Sequence, residues 1–121
     1  MKMNHDCMRD ILLHLENLNF DDLVETNSIV IKNYSHEEIV YHVEKLLEAQ
    51  YLNAYNVSTM SGRGYIIKSI TYHGHLFLDN VRPDDVWIKV KNISKSIGTV
   101  SLEILSNTAA RIIISEINKL I

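Results

Sequence analysis

Cysteine and proline each occur once in this 121-residue chain, and glycine only four times. A single thiol, Cys7, excludes an internal disulfide and a Cys-based zinc site, and a lone thiol this near a terminus reads as inert rather than catalytic. Long apolar runs are also missing. No stretch reaches the length of a membrane span, and Met1-Lys2-Met3-Asn4-His5 has no apolar segment behind its lysine, so no secretory signal is expected and the cytosol is the expected compartment. Positive charge is scarce: the formal charge is −3, with six Lys/Arg against ten Asp/Glu in residues 1–75 and six against five in residues 76–121. The basic stripe of a typical DNA-binding domain is therefore absent, and any nucleic-acid surface has to be local. No Gly-x-Ser-x-Gly elbow, phosphate loop or His-Glu-x-x-His motif occurs, so no catalytic activity and no cofactor are expected.

What is present is ordinary globular material, 46% apolar and 22% charged, in a length that suits one domain with a real core. Asn4 or Asp6 is placed to cap a first helix, because Met8, Ile11, Leu12 and Leu15 recur at helical steps up to residues 17–19. Residues 20–26 are acidic and aperiodic, and the β-branched Ile29-Val30-Ile31-Lys32 predicts a short strand. Ser35 followed by Glu38 is a capping box, after which Ile39, Val43, Leu46 and Leu47 form one apolar stripe of a second helix. Residues 52–60 and 65–71 read as strands of an antiparallel hairpin, joined by Ser61-Gly62-Arg63-Gly64, whose glycines permit positive φ.

Thr71 caps a helix through Leu76, Phe77 and Val81. Pro83 opens another through Val86, Trp87, Val90 and Ile93, which Gly98 stops. Ser101 caps a final helix reaching residue 121. The expected class is α+β, mostly helical: a winged-helix-like part over residues 1–75 (helix, short strand, helix, hairpin wing), then a helical extension over residues 76–121 that packs on it or dimerises. In the final helix Leu105, Ala109, Ile112, Ile113, Ile117 and Leu120 keep the helical period, while Ile112-Ile113-Ile114 spreads apolar groups over three faces. That excess calls for cover, either by the rest of the same chain or by a second copy, and in the second case these residues are the expected contact of a homodimer.

The chain resembles an uncharacterised bacterial and phage family, domain of unknown function 2513. The resemblance rests on Met8-Arg9-Asp10-Ile11-Leu12-Leu13, on Tyr34-Ser35-His36-Glu37-Glu38-Ile39-Val40-Tyr41-His42 with Leu46-Leu47-Glu48-Ala49, on Leu52, and on Ser58-Thr59-Met60. Its strongest block is Ile70-Thr71-Tyr72-His73-Gly74-His75-Leu76-Phe77-Leu78-Asp79, followed by Arg82, Asp85, Trp87 and Lys89. It implies a small winged-helix protein and no catalytic residue. Members usually show Gly-Leu after the second helix and Trp-Glu-Gly after the third strand, where this chain has Gln50-Tyr51 and Tyr72-His73-Gly74. Without glycine in the helix C′ position, the turn into the strand is expected to differ locally.

Two functional readings follow. In the first, a transcriptional or phage-associated regulator contacts duplex DNA through Arg63 at the wing tip, with Lys32, Lys45 and Lys68 assisting and Ser35, Tyr41 and His42 as polar contacts from the helix. Against it, that helix carries Glu37, Glu38, Glu44 and Glu48 beside one cation, and phosphate repels such a face. In the second, Glu37, Tyr41, Glu44 and Glu48 form an acidic face that docks a basic protein partner, as a phage-encoded inhibitor or DNA mimic would. Six histidines do not make a metal site: His73-Gly74-His75 splits over two faces of a helix, and His5, Asp6 and Cys7 lack further convergent ligands. His42 and His75 are expected to hydrogen-bond near the helix–sheet junction, and Trp87 to anchor the core.

Overall fold

In the computed structural model, which describes residues 1–98 and 100–121, α1 (His5–Leu15) starts where the Asn4 side chain accepts a hydrogen bond from the Cys7 N–H at 3.2 Å. Its apolar positions Met8, Ile11, Leu12 and Leu15 are all buried, as is Cys7. The helix ends at Leu15, before the expected 17–19, with the Glu16 N–H closing on the Leu12 carbonyl at 2.9 Å.

The strand expected over residues 29–32 does not form. The first strand is β1 (Val24–Glu25), inside the acidic stretch that shows no period, and it pairs antiparallel with a later strand, setting Val24 opposite Ile67 and Glu25 opposite Ile66. A strand exists only where a neighbouring edge accepts its backbone, and that edge is taken by β1. Thr26–Ser28 then makes one 3₁₀ turn, and Ile29 drops into the core while Val30 stays 84% exposed. This in-out alternation imitates a strand without a ladder. Asn33, at φ 79, redirects the chain into the next cap.

The second helix, α2 (His36–Glu48), has both halves of its capping box: the Ser35 hydroxyl accepts from the Glu38 N–H at 3.1 Å, and the Glu38 carboxylate accepts from the Ser35 N–H at 3.2 Å. Ile39, Val40, Val43 and Leu46 are buried, each such side chain contributing about 1.5–3 kcal/mol. The helix closes in a Schellman motif, with Tyr51 N–H on the Leu46 carbonyl (2.9 Å) and Gln50 N–H on that of Leu47 (3.0 Å). Gln50 takes the left-handed conformation itself, at φ 63, so the turn expected to change for want of glycine keeps its form.

The hairpin consists of β2 (Leu52–Asn56) and β3 (Tyr65–Ile70), in a sheet of order β1-β3-β2. Its turn lies earlier than the glycines suggest. Thr59 and Gly62 exchange backbone hydrogen bonds of 2.9 and 3.1 Å, which makes Met60-Ser61 the loop and places Arg63 on the returning arm. Only Gly62 of that pair has positive φ, at 156. Helix α1 lies against α2 and β3, and α2 against β2.

Helix α3 (Tyr72–Val81) begins at Thr71, whose hydroxyl accepts from the Gly74 N–H at 3.0 Å. Gly74 is required there: a Cβ would collide with the Tyr51 carbonyl oxygen and come within 2.7 Å of Ile70 Cγ2. The chain divides into two compact units at this helix, Met1–His75 and Leu76–Ile121. In the second, α4 (Asp84–Ile97) follows Pro83 and stops at Gly98, φ 112, and α5 (Leu102–Lys119) starts on the Ser101 hydroxyl. The two helices pack together, with Val86, Trp87, Val90, Leu105 and Ala109 buried. The class is thus mixed α+β and mostly helical, with five α-helices and one antiparallel sheet among the described residues.

Candidate functional site

The helical spacing of α2 sets Glu37, Val40, Tyr41 and Glu44 on one side, because positions three and four apart share a face. The returning arm of the hairpin sets Arg63 and Tyr65 on one side by the period of two. These two faces meet at Glu44. Arg63 Nη1 donates to Glu44 Oε1 at 2.9 Å and the Tyr65 hydroxyl donates to Glu44 Oε2 at 2.7 Å, so one carboxylate holds the hairpin to the helix through both oxygens. Burial, and then this hydrogen bond, raise the Tyr65 phenol above its ordinary value.

Beside that anchor lies a cleft of about 420 Å³, bounded by His36, Glu37, Val40, Tyr41 and Glu44 of α2, by Ser61, Gly62 and Arg63 of the hairpin, and by Met1. The Tyr41 hydroxyl donates to the Met1 carbonyl at 3.2 Å, and the Lys45 ammonium stands 5.2 Å from the Tyr41 ring centre. Glu37, Tyr41, Glu44 and Arg63 are thus brought together, although sequence reading assigned them to two rival surfaces.

The other expected contacts do not line the cleft. Lys45 pairs with Glu48 at 2.9 Å, a bond that raises its pKa, and Lys68 lies 5.1 Å from the Tyr55 ring. Lys32 is exposed in the turn before α2, and the Ser35 hydroxyl is consumed by its cap. His42 is corrected outright as a surface contact. It is 1% exposed, with Nδ1 on the Glu38 carbonyl and Nε2 accepting from the Asn4 N–H, both at 2.7 Å, so it ties the start of α1 to α2 instead of the helix to the sheet. His75 is exposed, and His73 tilts against Tyr51 with ring centres 5.1 Å apart. No group of three His, Cys, Asp or Glu side chains is placed to hold a metal among the described residues.

On the final helix, Leu105 and Ala109 are already buried within the chain, Ile112 and Ile113 are half-buried, and Ile117 and Leu120 are exposed. Ile104 in its first half and Ile114 in its second are also exposed. Sequence reading missed Tyr65, Met1, His36, Val40 and Ser61. Tyr65 had a signal, its two-residue step from Arg63. No helix among the described residues is long and apolar enough to cross a membrane.

Comparison with known proteins adds a family but no activity. A family model described as "Hypothetical protein (DUF2513)" matches residues 2–101. An uncharacterized protein of Haemophilus influenzae is 30% identical over 118 residues, covering 93% of this chain and 96% of the relative. No solved structure matches.

Proposed function

The chain belongs to the DUF2513 family of hypothetical proteins, and from that premise we propose that it is a docking module, a winged-helix-like domain that receives a basic protein partner in the cleft between α2 and the hairpin. The carrying observation is the Arg63–Glu44 ion pair, which engages the cation a DNA reader would offer, while Glu37 stays exposed at the edge of the same cleft. The neighbouring cations support the same reading, since Lys45 is held by Glu48 and Lys68 by an aromatic ring. DNA affinity comes mainly from cations that are free to displace counterions. A helix-turn-helix also sets one helix across the DNA backbone ahead of its reading helix, and here the one helical element between β1 and α2 is the single 3₁₀ turn Thr26–Ser28.

Pull-down with the wild type and with Glu44→Lys plus Glu48→Lys tests this. A partner recovered by the first and lost by the second supports docking; equal recovery overturns it.

A second reading, a DNA-binding and phage-associated regulator, is favoured by the element order α1–β1–α2–β2–β3 and by the sheet order β1-β3-β2. Anisotropy with duplex DNA at low salt, repeated with Arg63→Ala, decides between the two. Self-association through the exposed Ile114, Ile117 and Leu120 belongs with either reading and is measured by light scattering of the full chain.

A further inference from the structure

We infer that Arg63 is an internal stand-in for a partner's arginine: the cleft is built to take a guanidinium on Glu44, and the hairpin fills that position until a basic peptide displaces it. The inference rests on the docking reading above and names the group recognised.

The argument starts from asymmetry of burial. In the Arg63–Glu44 pair the carboxylate side chain is 20% exposed and the guanidinium side chain 70% exposed. Glu44 is fixed, because Tyr65 donates to its second oxygen at 2.7 Å from a β-strand. The Arg63 side chain is held by less: its backbone is fixed by the Thr59–Gly62 and Val57–Gly64 hydrogen bonds on either side, but its guanidinium reaches Glu44 from an exposed position two residues past the Met60-Ser61 loop. An exposed ion pair of this kind contributes little net stability, so exchanging one guanidinium for another is nearly neutral for the fold. The surroundings suit the incoming group. Tyr41 offers a ring that already attracts the Lys45 ammonium at 5.2 Å, Glu37 is exposed one helical turn from Tyr41, and the cleft of about 420 Å³ exceeds the needs of one side chain. Planar guanidinium is favoured over ammonium there, since it pairs with a carboxylate and stacks on an aromatic face at once.

The sign of one mutation, compared with Lys32→Ala, which removes an exposed cation outside the cleft lining and should leave peptide binding near wild type, separates this from the other roles of Arg63. A residue that contacts DNA or partner weakens binding when truncated. A stand-in strengthens it.

The test uses the full chain and a fluorescein-labelled hexa-arginine peptide, followed by anisotropy, with hexa-lysine as competitor. Arg63→Ala is expected to bind about two- to five-fold tighter than wild type, the range that loss of one exposed ion pair allows. Arg63→Lys should lie between wild type and Arg63→Ala, because an ammonium is the weaker stand-in. Glu44→Gln should weaken binding about ten-fold or more, whereas Asp21→Asn, an equal change of charge outside the cleft, should leave it unchanged; circular dichroism confirms that each variant is folded. Weaker peptide binding by Arg63→Ala, or no change, overturns the stand-in role while leaving docking intact if Glu44→Gln still weakens it. Equal binding by Glu44→Gln and Asp21→Asn overturns docking in this cleft. Binding of a 20-base-pair duplex that Arg63→Ala abolishes overturns both in favour of DNA.

Discussion

The backbone N–H of Asn4 donates to Nε2 of His42 at 2.7 Å, across 38 residues of sequence, and the same ring returns its Nδ1 proton to the Glu38 carbonyl at 2.7 Å. An N–H can only donate, so Nε2 accepts and Nδ1 carries the hydrogen. The residue that caps α1 is thereby fastened to the buried face of α2. Replacing His42 with Phe keeps a flat ring but removes the acceptor, leaving the Asn4 N–H unpaired at a cost of about 1–3 kcal/mol, to which crowding by the larger ring adds. Urea unfolding measures it, and a Phe variant as stable as wild type would show the bond to be dispensable.

Acid should weaken the first unit through His5. Its pKa lies below the ordinary 6.5, chiefly because burial disfavours the charged ring, with Asp6 opposing and His42 adding to the shift. Between the folded and unfolded values the unfolded chain binds the extra proton, so stability rises with pH in that window. The His5 contribution is complete above about pH 6.5 and declines as pH falls through the lowered value. Urea midpoints at pH 7.5 and 5 measure the slope, and His5→Asn should reduce it. An identical slope in both proteins would remove His5 from the account.

Cys7 should resist alkylation in the native protein. The thiol is fully buried, and burial, followed by the Glu38 and Asp10 charges, pushes its pKa up to about 12, which disfavours the reactive thiolate. Modification by iodoacetamide should accelerate with urea in step with the unfolded fraction. Native and unfolded protein reacting at one rate would contradict the burial.

How much of this architecture could be read beforehand follows the range of the information. Helix α2 was legible because Ser35, Glu38 and the Ile39, Val43, Leu46 spacing all lie within twelve residues of one another. The strand near residue 30 was misread because Ile29 and Val30 alternate as a strand does, while pairing depends on the distant Ile66 and Ile67. Glycines drew the expected turn to Gly62 and Gly64, although the loop is Met60-Ser61. Arg63 and Glu44 were each singled out, yet for opposite purposes. Their contact spans 19 residues and becomes visible only when the hairpin folds back on α2.

Gly74→Ala should be severely destabilising. The methyl group would run into the Tyr51 carbonyl, and backbone cannot retreat as a flexible side chain can. Overpacking of this kind costs typically about 1–3 kcal/mol and more where backbone must move. Gly64→Ala is the matched control, because its nearest neighbour is Val57 Cγ2 at 3.7 Å. Thermal melts should show a large drop for the first and little change for the second, and equal drops would remove the steric explanation.

Gln50→Gly should stabilise the protein. A side-chain-bearing residue at φ 63 places its Cβ against its own backbone, a strain of about 1–2 kcal/mol that glycine lacks. Opposing this, glycine gives the unfolded chain more freedom, worth about 0.4–1 kcal/mol. The strain is the larger figure, so a net gain of about 0.5–1 kcal/mol is expected, seen as a higher urea midpoint with an unchanged slope. Gln50→Ala should show no such gain, because alanine retains the Cβ. Both Schellman hydrogen bonds, from Gln50 to Leu47 and from Tyr51 to Leu46, survive either substitution, since they use backbone atoms alone. A glycine variant less stable than the alanine variant would mean that the strain at φ 63 is smaller than the freedom glycine adds to the unfolded chain.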